Sequence, residues 1–182
     1  MRDNNNSNFI EGKQLYLREV RVSDVSENYY RWMNDPDVIQ YMESRFAPQS
    51  TEKIQAYVRR ESENSYSVFM AIIDKASDRH IGNIKIHRID QYHRHAEVSI
   101  VIGQKECWGK GYGTEAISLI VDFAFNTLNL HKLSANIYAN NAGSVKAFKK
   151  AGFSEEGLKI KHRFYKGDYI DEVLLGIARQ RN

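Results

Sequence analysis

The chain has 182 residues, a formal net charge of +3, 42% hydrophobic and 12% aromatic residues, two prolines and one cysteine. Such a length and composition suit one packed domain over residues 1–182, with 1–12 as a flexible start. A charge this small, carried by scattered basic residues, argues against nucleic acid as a partner. The lone Cys107 excludes an internal disulfide and a cysteine-based zinc cage. No apolar run approaches a membrane span, and the polar stretch from Met1 to Asn8 has no apolar segment of signal length. A cytoplasmic protein with no membrane partner is therefore expected.

In chain order, Gln14 to Val20 alternates apolar and polar residues as a half-buried strand does. Ser23-Asp24 is expected to cap a helix over about 25–34, which Asp35-Pro36 interrupts. A second helix is expected to start at Ser50-Thr51-Glu52 and to carry Ile54, Tyr57 and Val58 inward. Three strands follow, over 67–73, 81–86 and 95–102. At Thr114 the spacing becomes helical, with Ala116, Ile117, Ile120, Phe123 and Ala124 on one face. Another strand covers 133–138, and Asn140 to Ser144 opens a short helix that ends near Gly152. Two last strands, about 156–165 and 169–177, join through Lys166-Gly167-Asp168. The fold class is α/β: a mixed, mostly antiparallel twisted sheet flanked by helices.

Between the strand at 95–102 and the helix at 114 lies Trp108-Gly109-Lys110-Gly111-Tyr112-Gly113. Glycines let a backbone turn tightly and bring its N–H groups up to an anion, and a helix start adds unpaired N–H groups and a positive dipole end. Strand, glycine loop and helix start together form a diphosphate seat made of main chain. No Lys-Ser or Lys-Thr follows the glycines, which excludes a Walker loop, and the third glycine falls too early for a dinucleotide fingerprint. The spacing that fits is [QR]-x-x-G-x-[GA], with Gly111 and Gly113 at the glycine positions and Trp108 where Gln or Arg is usual. That loop resembles the coenzyme A pyrophosphate loop of the GNAT acetyltransferases. Four more features in the same order resemble this family: Leu15-Tyr16-Leu17-Arg18 with Asp24, Ala96-Glu97 with Ser99 to Ile102, Asn141-Ala142-Gly143-Ser144, and Ala151-Gly152-Phe153. The wording from Trp108 to Ala116 and the Asp35-Pro36 segment resemble its RimJ/RimL-like and spermidine-acetyltransferase-like branches.

The resemblance implies an N-acetyltransferase that moves an acetyl group from acetyl-CoA directly to a primary amine: a protein N-terminus, an amino sugar or a small amine. It implies that main-chain groups of Ser99, Ile100 and Val101 pair with the pantetheine arm, with the Val101 N–H stabilising the developing oxyanion. The diphosphate would rest on Trp108, Gly109, Lys110, Gly111, Tyr112 and Gly113, with Thr114 helping. Asn141 would bond the pantetheine amide, and Ser144 would protonate the departing thiolate. Many relatives carry a Tyr four residues beyond the Ser position, where this chain has Phe148. Glu97 is the expected base, with His87 a lesser candidate, and Tyr41 and His87 are expected to touch the acceptor. His93, His95 and Glu97 alternate along one strand but lack a fourth ligand, so no metal is expected. No partner stands out to activate Cys107, so a covalent acyl-enzyme is not expected. A homodimer is among the arrangements found in the resembled family. The competing reading is a non-catalytic acyl-CoA-binding or interaction module on the same fold, which Phe148 favours.

Overall fold

The structure is a computed structural model, described here for residues 8–180. Its elements in chain order are β1 (Ile10–Glu11), β2 (Leu15–Glu19), α1 (Glu27–Asn34), α2 (Pro36–Ile39), α3 (Thr51–Glu63), β3 (Val68–Asp74), β4 (Arg79–Asp90), β5 (His95–Ile102), α4 (Tyr112–Asn126), β6 (Lys132–Tyr138), α5 (Ala142–Lys150), β7 (Ser154–Tyr165) and β8 (Asp168–Ala178). Short 3-10 turns lie at Val22–Asp24, Glu43–Phe46 and Lys105–Cys107. The strands form one eight-stranded sheet in the order β1-β2-β3-β4-β5-β6-β8-β7. Every neighbouring pair is antiparallel except β5 and β6, which run parallel.

Alternation along each strand divides the side chains between two faces. One face buries Leu15, Leu17, Ile72, Ile84 and Leu133 against Ala116, Ile117 and Ile120 of α4. Each such side chain contributes roughly 1.5–3 kcal/mol by leaving water. The other face packs Tyr16, Ala71 and Ile73 against Tyr29 and Trp32 of α1, Val38 and Ile39 of α2, and Ile54 and Val58 of α3.

Two differences from the sequence expectation have local causes. Asp24 does not cap α1; it takes a two-point ion pair from Arg18 at 2.7 and 2.8 Å, and Ser26 is the cap instead. A guanidinium fork matched to a carboxylate outcompetes a helix N–H for the same oxygens. Residues 8–12 of the expected flexible start are ordered, since Ile10 and Glu11 pair with Leu17 and Tyr16. Residues 1–7 lie outside the described residues.

Candidate active site

The sheet splits between β5 and β6. Only His95, Ala96 and Glu97 pair across this seam, with Lys132, Leu133 and Ser134, although both strands continue well beyond. Past Glu97 the inner edge of β5 is left without a partner strand. Which main-chain groups face that gap follows from the other side of β5. The Gly103 N–H donates to the Ile81 carbonyl at 2.9 Å, in register with the Gly82–Ile102 and Asn83–Val101 pairs. Hydrogen-bonded pairs alternate along an antiparallel ladder, so Val101 and Ser99 spend their N–H and C=O groups on β4. Val98, Ile100 and Ile102 turn theirs toward the gap.

This corrects the expectation for Ser99 and Val101. The Ile100 and Ile102 main-chain groups face the gap, and the Val101 N–H is turned toward β4. The sequence shows alternation but not which half of it faces outward; that depends on register with β4. The Ile102 carbonyl on the gap side receives the Trp108 indole N–H at 2.7 Å.

The glycine loop lies directly beyond the end of β5. Gly109 and Gly111 adopt φ of +73° and +92°, the left-handed region in which a side chain is strained. Gly111 is the N-cap of α4 and offers no side chain to the helix start. The N–H groups of the first turn are therefore uncapped and point out of the loop. Three side chains hold this backbone in place from outside. Trp108 bonds Ile102, Tyr112 donates to Asp74 Oδ1 at 2.8 Å, and Glu115 accepts from the Gln14 backbone and side chain at 2.8 and 3.0 Å. The bond to Asp74 pushes the Tyr112 hydroxyl up to about 12. Residues Gly109 to Thr114 thus present backbone, while Trp108 has a structural bond of its own.

Across the gap, β6 leads into α5. Asn141 caps α5, its Oδ1 accepting the Ser144 N–H at 3.2 Å. The Asn141 side-chain NH₂ has no acceptor among the described residues and can donate. The Ser144 hydroxyl is half-buried and has no hydrogen bond among the described residues. Phe148, one turn on, is 2% exposed and packs edge-to-face on Phe153 at 5.0 Å. It belongs to the core.

Glu97 and His87 are register partners on β5 and β4, at the last position before the split, on the face covered by α1–α3. Glu97 Oε1 accepts from Arg88 at 2.9 Å. His87 is half-buried, and no hydrogen bond to its ring is present among the described residues. Burial, and next the neighbouring Lys85 charge, hold the imidazole below its ordinary 6.5. At neutral pH it is an uncharged ring able to accept a proton. Cys107, by contrast, is pushed up by burial and stays a thiol. Among the described residues no group of three or more His, Cys, Asp or Glu gathers as a metal cage.

Tyr41, expected at the acceptor, sits with residues that the sequence reading did not place there: Tyr138, Arg163, Tyr165 and Glu172. Tyr41 stacks on Tyr165 at 5.4 Å and lies 5.6 Å from Tyr138, with its hydroxyl donating to the Asn140 carbonyl at 3.3 Å. Beside them Glu172 is fully buried; Lys159 donates to it at 3.0 Å and Arg163 at 2.7 Å, with His162 at 3.6 Å. Burial opposes ionisation of Glu172, but the hydrogen bonds from Arg163 and Lys159 prevail and hold it below 4.5. Two aromatics upstream of Tyr41 are packed in the core instead. Tyr29 and Trp32 are core residues 3% and 6% exposed, packed around His80.

A split mixed sheet, a glycine loop on an uncapped helix start and a capped Asn-x-x-Ser helix form the frame of an acyl-coenzyme A transferase. Residues 14–154 match the family described as Acetyltransferase (GNAT) domain, and the chain belongs to that family. It is an N-acetyltransferase with acetyl-CoA as donor. The uncharacterized N-acetyltransferase p20 of Bacillus licheniformis is 30% identical over 171 residues, covering 92% of this chain and 94% of that protein. The spermidine N(1)-acetyltransferase of Vibrio cholerae is 28% identical over 168 residues, covering 92% and 95%. A crystal structure of the Vibrio cholerae spermidine N-acetyltransferase in complex with CoA and spermine superposes with a TM-score of 0.82 at 26% identity, covering 92% of this chain and 96% of that one. No helix among the described residues is long and apolar enough to cross a membrane.

Proposed function

We propose that this chain acetylates a primary amine held between β5 and β6, by direct transfer. The observation that carries the proposal is the seam that closes after Glu97 and Ser134 and leaves Ile100 and Ile102 facing the gap, beside the uncapped start of α4. An extended amide-bearing arm pairs there as a strand would, and its diphosphate meets the N–H groups of Gly109 to Thr114. Acetyl-CoA supplies an activated thioester. The Ile100 N–H, rather than that of Val101, stabilises the negative charge growing on the thioester oxygen.

In the transfer itself the amine nitrogen forms a bond to the acetyl carbon as the carbon–sulfur bond breaks. The His87–Glu97 pair takes the proton lost by the amine: the neutral imidazole accepts it, and the Glu97 carboxylate across the strands favours the charged ring. Ser144 gives its proton to the departing thiolate, a role Phe148 cannot fill. The Asn141 NH₂ steadies the arm beside it. Tyr41 borders the acceptor, which belongs to one of three classes: a protein N-terminus, an amino sugar or a small amine. A cytoplasmic homodimer is part of the same reading.

The test is thiol release from acetyl-CoA with a panel of primary amines, alongside calorimetric titration with CoA. Saturable coenzyme binding and release dependent on an amine are expected. Binding without turnover on any amine would return the chain to the competing module reading, and no binding at millimolar CoA would remove both. Within the pair, His87→Gln should flatten the acid limb of the pH–rate profile, whereas Glu97→Gln should shift it to lower pH. An unchanged limb in both variants would discard the pair.

A further inference from the structure

The charges around the acceptor end do not balance: two cations at the tyrosine box have no carboxylate among the described residues, Lys166, over the Tyr165 ring at 5.3 Å, and the half-buried Arg45. Each carboxylate bordering the cleft has a cation: Glu97 has Arg88 at 2.9 Å, Glu61 has Lys85 at 3.6 Å, Glu43 has Arg163 at 3.1 Å, and Glu172 has Arg163 and Lys159. Arg45 has no carboxylate among the described residues. It is half-buried in the tyrosine box, its guanidinium over the rings of Tyr138 at 5.3 Å and Tyr165 at 6.0 Å. Its hydrogen bonds go only to uncharged oxygens: the Gln40 carbonyl at 2.7 Å, the Tyr138 hydroxyl at 3.2 Å and the Phe164 carbonyl. A guanidinium has five N–H donors, and the Nε–H here has no acceptor among the described residues. Ring faces and carbonyls soften the burial of this charge but do not neutralise it.

We infer that Arg45 receives an oxyanion carried by the acceptor, so that the substrate is an amine bearing a carboxylate or phosphate rather than a polyamine. A polycation would need an unmatched carboxylate, and every carboxylate bordering this cleft is already paired. An oxyanion meets the reverse situation: a guanidinium whose Nε–H and one Nη1 hydrogen are still to be donated, beside the Tyr41 and Tyr165 rings. The inference rests on the acetyl-transfer reading and narrows its acceptor.

Paired probes test it. Glucosamine 6-phosphate against glucosamine reads phosphate; L-methionine against L-methionine amide reads carboxylate; spermidine is the polycation. With the purified protein and acetyl-CoA, the anionic member of one pair should show kcat/KM about 10-fold or more above its neutral partner, mostly through KM. Arg45→Gln should bring that ratio to about one, and Arg45→Lys should restore part of it. Equal rates within both pairs, or spermidine exceeding every anionic probe, would overturn the inference. Calorimetric titration of the CoA-bound protein with the same pairs gives a readout that does not depend on turnover. Anionic probes binding no tighter than their neutral partners would overturn the Arg45 assignment even if another amine were acetylated. Failure of CoA to bind would instead strike the acetyl-transfer reading.

Discussion

The two ends of the cleft are made of different material. At the proposed coenzyme end the groups on offer are backbone: the free edge of β5 at Ile100 and Ile102, and the N–H groups from Gly109 to Thr114. At the acceptor end they are side chains from four separate segments: Tyr41 and Arg45, Tyr138, Arg163 and Tyr165, and Glu172. Backbone is set by fold and φ, so it tolerates most side-chain changes around it. A side-chain box depends on every member, and its specificity can change while the fold does not. A shared coenzyme with divergent acceptors is the expected result of such a division.

Breaking the acceptor end should have the largest effect. Glu172→Ala removes the buried carboxylate shared by Arg163 and Lys159 and leaves Arg163 only the exposed Glu43, which costs roughly 1–3 kcal/mol and lowers Tm by roughly 2–12 °C, read by scanning calorimetry. The same group sets an acid window. Its folded pKa lies below 4.5, so its contribution is complete above that pH and is lost as pH falls through the depressed value. His80, held below 6.5 mainly by burial, adds a contribution that is full above pH 6.5 and declines below it. Stability should therefore fall in two stages on acidification, the first of them removed in a His80→Gln variant that remains folded.

Ser144→Ala comes next. Loss of a general acid predicts a fall of about 100-fold in kcat with little change in KM for acetyl-CoA. An unchanged kcat would leave the Ser144 hydroxyl as a bystander.

At the coenzyme end, Gly111→Val should raise the CoA dissociation constant about 10-fold or more. The obstacle is conformation and not space, because φ is +92° and the nearest atom to an added Cβ is Gln14 Nε2 at 3.8 Å. The smallest effect belongs to Trp108→Gln, which exchanges one indole bond for an amide in a partly exposed position. It should cost about 1 kcal/mol of stability and change CoA affinity less than about 3-fold. If Trp108→Gln weakened CoA as much as Gly111→Val, the contrast between backbone and side-chain recognition would fail.

That same contrast decides what could be read in advance. The glycine loop, the helical face from Ala116 to Ala124 and the Asn141–Ser144 cap are local patterns, visible because every interaction involved spans a few residues. The succession of strands and helices along the chain was open to the same reasoning, since alternation and turn residues are local too; the order of the strands in the sheet was not. The acceptor box is not: Arg45 meets Tyr138 and Phe164, and Tyr165 meets Gln40, over separations of 93, 119 and 125 residues. Its members on β7 and β8, Arg163, Tyr165 and Glu172, look like ordinary polar alternation until the sheet brings them to Tyr41, Arg45 and Tyr138. The Val101 expectation failed for an intermediate reason, because facing the gap is a matter of parity against β4. Asp24 failed because a partner six residues upstream, Arg18, took its carboxylate.

The seam itself has a consequence for the free protein. Its two half-sheets, β1–β5 and β6–β8–β7, are stitched by three residue pairs, so a guest lying between them would act as a ninth strand. Occupancy should then slow amide exchange at Ile100 and Ile102 and raise the melting point with the logarithm of ligand concentration above the dissociation constant. Turnover and durability would rise and fall together with the cell's pool of acylated carrier.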